Sequence, residues 1–116
     1  MTGAEVLTIL RETGRGEDHY ETLGSGRLYA KRFPRIECAD GFSLSVQAGW
    51  GLYSTPYEDA GPWTAVEVGY PSARPEPWDT EWVEFAEDPN NPEGTVYARV
   101  PLSMVECLIE KHGGAK

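Results

Sequence analysis

The sequence predicts an α+β fold, in which an antiparallel sheet of four to five strands carries a C-terminal helix packed on one face, with a short N-terminal helix. Apolar and polar residues alternate strictly from Phe42 to Ala48, the two-residue period of a half-buried strand. Two more runs with strand character lie near residues 63–70 and 95–100. An apolar stripe at helical spacing begins at Leu102 and supplies the helix that covers the sheet.

With 116 residues, the chain is expected to form one domain, 1–116. Within it, residues 1–34 form a helix and loop region, and residues 35–112 form the sheet and the C-terminal helix. Thr2 and Glu5 have the spacing of a capping box, which predicts a helix start ahead of the apolar run Val6–Leu10. That run is also rich in β-forming residues, so a strand is the alternative.

The first hairpin is predicted around Asp40-Gly41, which favours a two-residue type I′ loop. Its strands fall near 35–39 and 42–48. Period-2 geometry directs the apolar residues of the second strand inward and its polar residues toward water; the polar set is Ser43, Ser45 and Gln47.

The stretch Trp78–Asp88 permits two interpretations. Trp78, Trp82 and Phe85 recur at helical spacing, whereas Trp82–Phe85 also suits an edge strand, and we favour a short strand.

The segment after Pro101 is predicted to be a helix with Gly113 just beyond its end. Ser103 and Glu106 have the spacing of a second capping box. The apolar stripe predicted to face the sheet comprises Leu102, Val105, Leu108, Ile109 and His112.

The chain carries 19 acidic and 10 basic residues, a formal net charge of −9. Residues 54–94 account for the whole of it, because ten acids there accompany one base, Arg74, and the charges of the other two parts cancel. This balance argues against direct binding to nucleic acid or to an anionic membrane, because both need a surplus of Lys and Arg. The one basic cluster, Arg27, Lys31, Arg32 and Arg35, is expected to neutralise the chain's own acids or to orient it on a partner.

The sequence offers no catalytic signature. We find no serine elbow, phosphate-binding loop or Cys/His metal spacing, so no enzyme activity, metal or cofactor is predicted. Cys38 and Cys107 are expected to be free, buried thiols in a reducing cytoplasm. Without an apolar run of membrane-spanning length, the expected location is the cytoplasm.

Acidic and aromatic residues are interleaved in the middle of the chain, which has two interpretations. In the first, the aromatics are core and the acids are an ordinary solvated face. In the second, they form a recognition surface for a basic partner, because Trp side chains are frequent binding anchors and acidic rims steer basic proteins. The candidate surface consists of Glu76, Asp79, Glu81, Glu84, Glu87 and Asp88, with Trp50, Trp78 and Trp82 as candidate anchors.

Several strings between residues 35 and 114 resemble small proteins of tailed phages and prophages, most of which have no assigned activity. The strings are Asp40–Gly49, Tyr53–Pro56, Ala65–Ser72, Ala86–Pro89, Thr95–Tyr97 with Val100-Pro101, and Lys111–Gly114. More loosely, the pattern Gly-Phe-x-x-x-Val-x-Ala-Gly from Gly41, with its acidic flanks, is similar to that of some small anti-CRISPR proteins. Such proteins block bacterial defence complexes by occupying sites meant for DNA.

The resemblance implies a phage-encoded acidic inhibitor, an anti-CRISPR or other anti-defence protein, that binds a basic nucleic-acid-handling host protein in the cytoplasm of the bacterial host. A CRISPR effector complex is one such partner, and DNA mimicry is one such mode of binding. The alternative is a phage accessory or structural interaction module without a defence target. The oligomeric state stays open between monomer and homodimer.

Overall fold

A computed structural model describes residues 2–13, 20–22, 28–30, 33–48, 53–55 and 62–116. It is an α+β structure, as predicted. The helices are α1 (Gly3–Thr8) and α2 (Leu102–Lys111), and the strands are β1 (Tyr20–Thr22), β2 (Leu28–Ala30), β3 (Ile36–Glu37), β4 (Ser43–Gln47), β5 (Ala65–Gly69) and β6 (Val96–Pro101). Shorter helical turns cover Ile9–Thr13, Trp78–Trp82 and Val83–Phe85.

The main sheet has four strands in the order β3-β4-β5-β6, and every neighbouring pair is antiparallel. Each strand falls within, or one residue beyond, a range that the sequence predicts. Strands β1 and β2 pair separately, inside the region predicted as loop. Strands of three residues are too short to show a readable alternation.

The alternation of β4 has the predicted sense. Leu44 and Val46 are fully buried, and Phe42 and Ala48 on either side of the strand are nearly so. The polar residues of β4 are half-buried instead of facing open water. The Gln47 carboxamide, for example, accepts from the Phe33 N–H at 2.7 Å and donates to the Phe33 carbonyl at 2.8 Å.

The turn between β3 and β4 contains three residues, Ala39–Gly41, so the predicted two-residue loop is wrong. Ile36 pairs with Leu44, and among the turn residues only Gly41 has a positive φ, +96°. A type I turn followed by a left-handed glycine is a common three-residue hairpin connection. A two-residue loop would have placed Ile36 opposite Ser45 on the polar face, whereas the extra residue lets it share the buried face with Leu44.

Helix α2 ends as predicted but begins differently. The Gly114 N–H donates to the Ile109 carbonyl and the Gly113 N–H to the Glu110 carbonyl, both at 3.0 Å, with Gly113 at φ +90°. These two bonds form a Schellman motif. At the other end, Pro101 precedes the helix and no side chain caps it, so the predicted Ser103 cap is wrong. The helix already includes Leu102, which leaves Ser103 inside the first turn.

The buried residues form one core between the sheet and the two helices. The predicted cap of α1 is present, since the Thr2 hydroxyl accepts from the Glu5 N–H at 3.1 Å. Of the predicted stripe on α2, His112 alone is not buried. In the described part of the chain, no helix has the length and apolar character needed to cross a lipid bilayer.

The two cysteines are free, as expected, but they differ in environment. Cys38 lies in the core, where burial raises the pKa of its thiol. Cys107 is exposed, so the expectation of a second buried thiol is wrong. It follows Ser103 by one turn on the side of α2 that faces away from the sheet.

Candidate functional site

The acidic stretch folds into helical turns, so the short strand predicted there is wrong. Trp78–Trp82 forms a π-helical turn and Val83–Phe85 a 3₁₀ turn. The chain becomes extended only at Ala86, which makes an isolated bridge to Tyr97. The helical interpretation of the i, i+4 and i+7 spacing was the correct one. In helical turns this spacing directs both tryptophans of the stretch to the same side.

Two of the candidate anchors, Trp78 and Trp82, are core residues. Their exposed fractions are 7% and 2%, and both rings meet Tyr97 edge-on, at centroid distances of 6.2 Å and 5.7 Å. Edge-to-face pairs of this kind add to the stabilisation that burial provides. The expectation that these tryptophans contact a partner directly is therefore corrected: they hold the stretch on the sheet. The third candidate anchor, Trp50, lies outside the described residues.

The carboxylates of the same stretch all point outward. We call this surface the acidic ledge; it comprises Glu76, Asp79, Glu81, Glu84, Glu87 and Asp88, and each of these residues is exposed. The geometry of the turns separates the carboxylates from the aromatic rings, because residues next to a buried tryptophan project away from the core. Acids and aromatics that are interleaved in sequence are thus separated in space.

Two ledge carboxylates are engaged within the chain. Glu76 pairs with Arg74 at 2.7 Å, and it also accepts from the Trp78 N–H at 2.9 Å. The Arg74 hydrogen bond, followed by the Trp78 N–H, lowers the pKa of Glu76. Asp88 accepts from the Asn90 N–H at 3.1 Å and so organises the following turn.

The other four ledge carboxylates make no salt bridge to any described residue. They are Asp79, Glu81, Glu84 and Glu87. Arg74, the only base between residues 54 and 94, is already committed to Glu76 and also lies over the Trp78 ring at 5.7 Å. The ledge therefore keeps uncompensated negative charge.

Backbone contacts fix the ledge to the β6 edge of the sheet. The Glu87 N–H donates to the Val96 carbonyl at 3.0 Å, and the Asp88 N–H donates to the buried Thr95 hydroxyl at 2.9 Å. Strand β3 forms the opposite edge. The backbone of the ledge is therefore attached on the β6 side of the sheet.

Sequence reasoning missed the residues that position the ledge. Tyr97 is fully buried, and its hydroxyl donates to the Pro92 carbonyl at 2.6 Å. Strict alternation in this strand predicts Val96, Ala98 and Val100 on one face, which places Tyr97 on the other face from Val100. A bulge between β5 and β6, with Arg99 at φ +50°, shifts that alternation and brings Tyr97 and Val100 to the same buried face.

Across the described ranges, no group of three His, Cys, Asp or Glu side chains is placed to hold a metal ion. His112, the residue that follows α2, contacts Asp40 and Phe42. Comparison of the chain with protein-family models, with curated proteins and with solved structures found no match.

Proposed function

We propose that this chain is a phage-encoded acidic inhibitor that docks its ledge on a basic surface of a nucleic-acid-handling host protein. The observation that carries the proposal is the set of four exposed ledge carboxylates without an ion-pair partner among the described residues. The phage origin and the anti-defence role, such as inhibition of a CRISPR effector, rest on the resemblance of residues 35–114.

Electrostatics favours this kind of partner. A concentrated negative surface on a chain of net charge −9 attracts a basic protein over a distance of about 10 Å at 0.1 M salt. A surface that binds nucleic acid is basic for the same reason, because it neutralises phosphates. A protein that occupies it competes with DNA, which is how the ledge would act as a DNA mimic.

Rigidity strengthens the proposal. The ledge is attached through two buried tryptophans and through the Glu87 and Asp88 N–H groups, which donate to the Val96 carbonyl and the Thr95 hydroxyl. A backbone that is already ordered loses little freedom on binding, so the entropy cost falls mainly on the ledge side chains.

A pulldown from host lysate tests the proposal. The bait is the parent chain, and the matched bait carries Glu81→Lys, Glu84→Lys and Glu87→Lys. We expect the parent to retain a basic nucleic-acid-handling protein at low salt, to lose it at moderate salt, and the reversed bait to retain none of it. Self-association, or capture of virion proteins by both baits alike, would instead indicate an accessory or structural module.

A further inference from the structure

Tyr70, the residue that follows β5, carries the most exposed large hydrophobic side chain of the described residues. Its exposed fraction is 53%, against 41% for Tyr53. The Tyr53 ring has a partner within the chain, because the guanidinium carbon of Arg99 lies over it at 5.8 Å from the ring centroid. The Tyr70 ring makes no aromatic or cation contact with any described residue.

The backbone of Tyr70 is left-handed, with φ +48°. This conformation costs free energy in every residue that has a Cβ, and a bulky aromatic residue rarely adopts it. Contacts on both sides hold it in place: the Tyr70 N–H donates to the Thr95 carbonyl at 3.0 Å, and the Arg35 guanidinium donates to the Tyr70 carbonyl. Its two neighbours in the chain, Gly69 and Pro71, are buried. The fold thus bears a conformational cost for a ring that no described residue contacts.

Tyr70 lies next to the end of the acidic ledge. The Asp88 N–H donates to the Thr95 hydroxyl, and the Glu87 N–H donates to the Val96 carbonyl. Strand β5, which ends just before Tyr70, pairs with the other side of β6. The Tyr70 backbone and the ledge backbone therefore flank β6, about two strand spacings or roughly 10 Å apart. This separation is about one Debye length at 0.1 M salt, so the Glu87 and Asp88 carboxylates attract a cation that is placed at the ring.

The chemistry of the ring selects the side chain that it can receive. The face of an aromatic ring is negative and attracts cations, and Arg is the cation that stacks on it most often, because its guanidinium is planar and weakly hydrated. The chain itself makes this contact twice, with Arg74 over Trp78 and Arg99 over Tyr53. Arg35 is bound to Tyr70 as well, but its guanidinium donates to the backbone carbonyl and does not lie over the ring.

We propose that Tyr70 is the aromatic anchor of the ledge and that its ring stacks on an Arg side chain of the basic partner. That the partner is basic rests on the proposed function. The ring adds a preference within that class of partner, for a surface rich in Arg over one rich in Lys. Ledge charge then attracts the partner, and Tyr70 contacts it.

Two peptides of equal charge test the proposal, octa-arginine as the probe and octalysine as its control. The chain is labelled with 3-fluorotyrosine, and the ¹⁹F resonance of Tyr70 is the one that Tyr70→Phe removes. At low salt we expect octa-arginine to shift this resonance and to bind more tightly than octalysine. The shift is measured on the parent chain, so it does not depend on whether a variant folds.

Substitutions at the two exposed tyrosines separate the anchor from its surroundings. Tyr70→Asn removes the ring at a residue type that tolerates a left-handed backbone, so the variant should fold like the parent. We expect it to raise the Kd for octa-arginine about two- to fivefold, the effect of one exposed cation–π contact, and to remove most of the difference between the two peptides. Tyr70→Phe, which keeps the ring, and Tyr53→Asn, which removes the other exposed ring, should leave that Kd unchanged.

The inference is overturned if octa-arginine leaves the Tyr70 resonance in place, if the folded Tyr70→Asn variant binds octa-arginine as tightly as the parent, or if Tyr53→Asn weakens binding equally. Each of these results leaves the proposed function standing wherever a host protein is still captured through the ledge. Conversely, octa-arginine binding that depends on Tyr70, together with a lysate that yields no ledge-dependent partner, refutes the proposed function and retains the aromatic anchor.

Discussion

His112 and Asp40 join the end of α2 to the β3–β4 turn, with His112 Nδ1 at 2.7 Å from Asp40 Oδ2. The imidazole also stacks on Phe42 at a centroid distance of 3.9 Å and an interplanar angle of 10°. The Asp40 N–H donates to the His112 carbonyl at 3.1 Å, so backbone and side chains connect the same two positions. The C-terminal end of α2 is thus attached to the β3–β4 turn by tertiary contacts.

Acid should weaken this contact. The Phe42 N–H, followed by the His112 side chain, lowers the pKa of Asp40. A carboxylate whose pKa is lower in the folded than in the unfolded chain stabilises the fold above its unfolded pKa of about 3.9, and that stabilisation is lost as pH falls through the folded pKa. Urea unfolding should therefore show parent more stable than Asp40→Asn at pH 7, with the gap closing in strong acid. A gap independent of pH would contradict the ionic contribution.

Alanine substitutions at the two glycines after α2 distinguish the cost of backbone strain from the cost of a steric clash. Gly113 and Gly114 both have φ +90°, but a Cβ on Gly113 would lie 2.9 Å from the Ala39 Cβ, whereas one on Gly114 meets nothing within 4 Å. Gly114→Ala should cost about 1 kcal/mol of unfolding free energy from the left-handed backbone alone. Gly113→Ala should cost more than its control, because Ala39 must also move. If denaturant unfolding shows the same loss of unfolding free energy for both variants, the β3–β4 turn moves aside without cost and the predicted clash with Ala39 is wrong.

Trp82 should behave as a core residue. Trp82→Ala is expected to lower the unfolding free energy by about 3–5 kcal/mol, because it removes a large buried ring and its contact with Tyr97. The matched control Glu81→Gln, an exposed neighbour in the same turn, should change it by less than about 0.5 kcal/mol. Similar stability of the two variants would show that Trp82 is not part of the core.

The Tyr97 hydroxyl should lose its proton at a higher pH than an ordinary tyrosine does. Burial, followed by the charge of Glu93, raises the pKa of Tyr97 to about 12. A raised pKa stabilises the fold below the unfolded value of about 10, and this stabilisation disappears as pH climbs through the folded pKa. Ultraviolet titration of the tyrosinate band should show a late component that Tyr97→Phe abolishes. If that variant retains the late component, the assignment to Tyr97 is wrong.

The sequence predicts the strands well where one face is buried, because period-2 alternation then reports the core directly. The prediction fails where one additional residue in a turn or a strand changes the pairing register. The three-residue turn at Ala39–Gly41 and the bulge at Arg99 each add one residue, and each changes which neighbours share a face. Neither insertion leaves a mark on the hydrophobic pattern, since its driving force is the packing of both partner strands.

The sequence predicted where the acidic residues of the candidate site lie, but not which of its aromatic residues are buried. Composition located the acidic stretch, but it could not separate buried from exposed aromatics, because Trp suits a core and a binding surface equally. The spacing of Trp78, Trp82 and Phe85 indicated helical turns with the three rings on one side. Strand-forming residues such as Val83 favoured the edge strand instead.

The central claim is that ledge charge drives recognition, and the association rate constant tests it most directly. The partner captured by pulldown is mixed with the parent, with Glu81→Lys/Glu84→Lys, and with Glu5→Lys/Glu37→Lys, in which the net charge changes equally on exposed residues of α1 and the opposite sheet edge. At low salt we expect the ledge variant to associate at least about tenfold more slowly than the parent, and the control variant to stay close to the parent. If the folded ledge variant associates as fast as the parent, or if both variants slow equally, the ledge is an ordinary solvated face and the account is wrong.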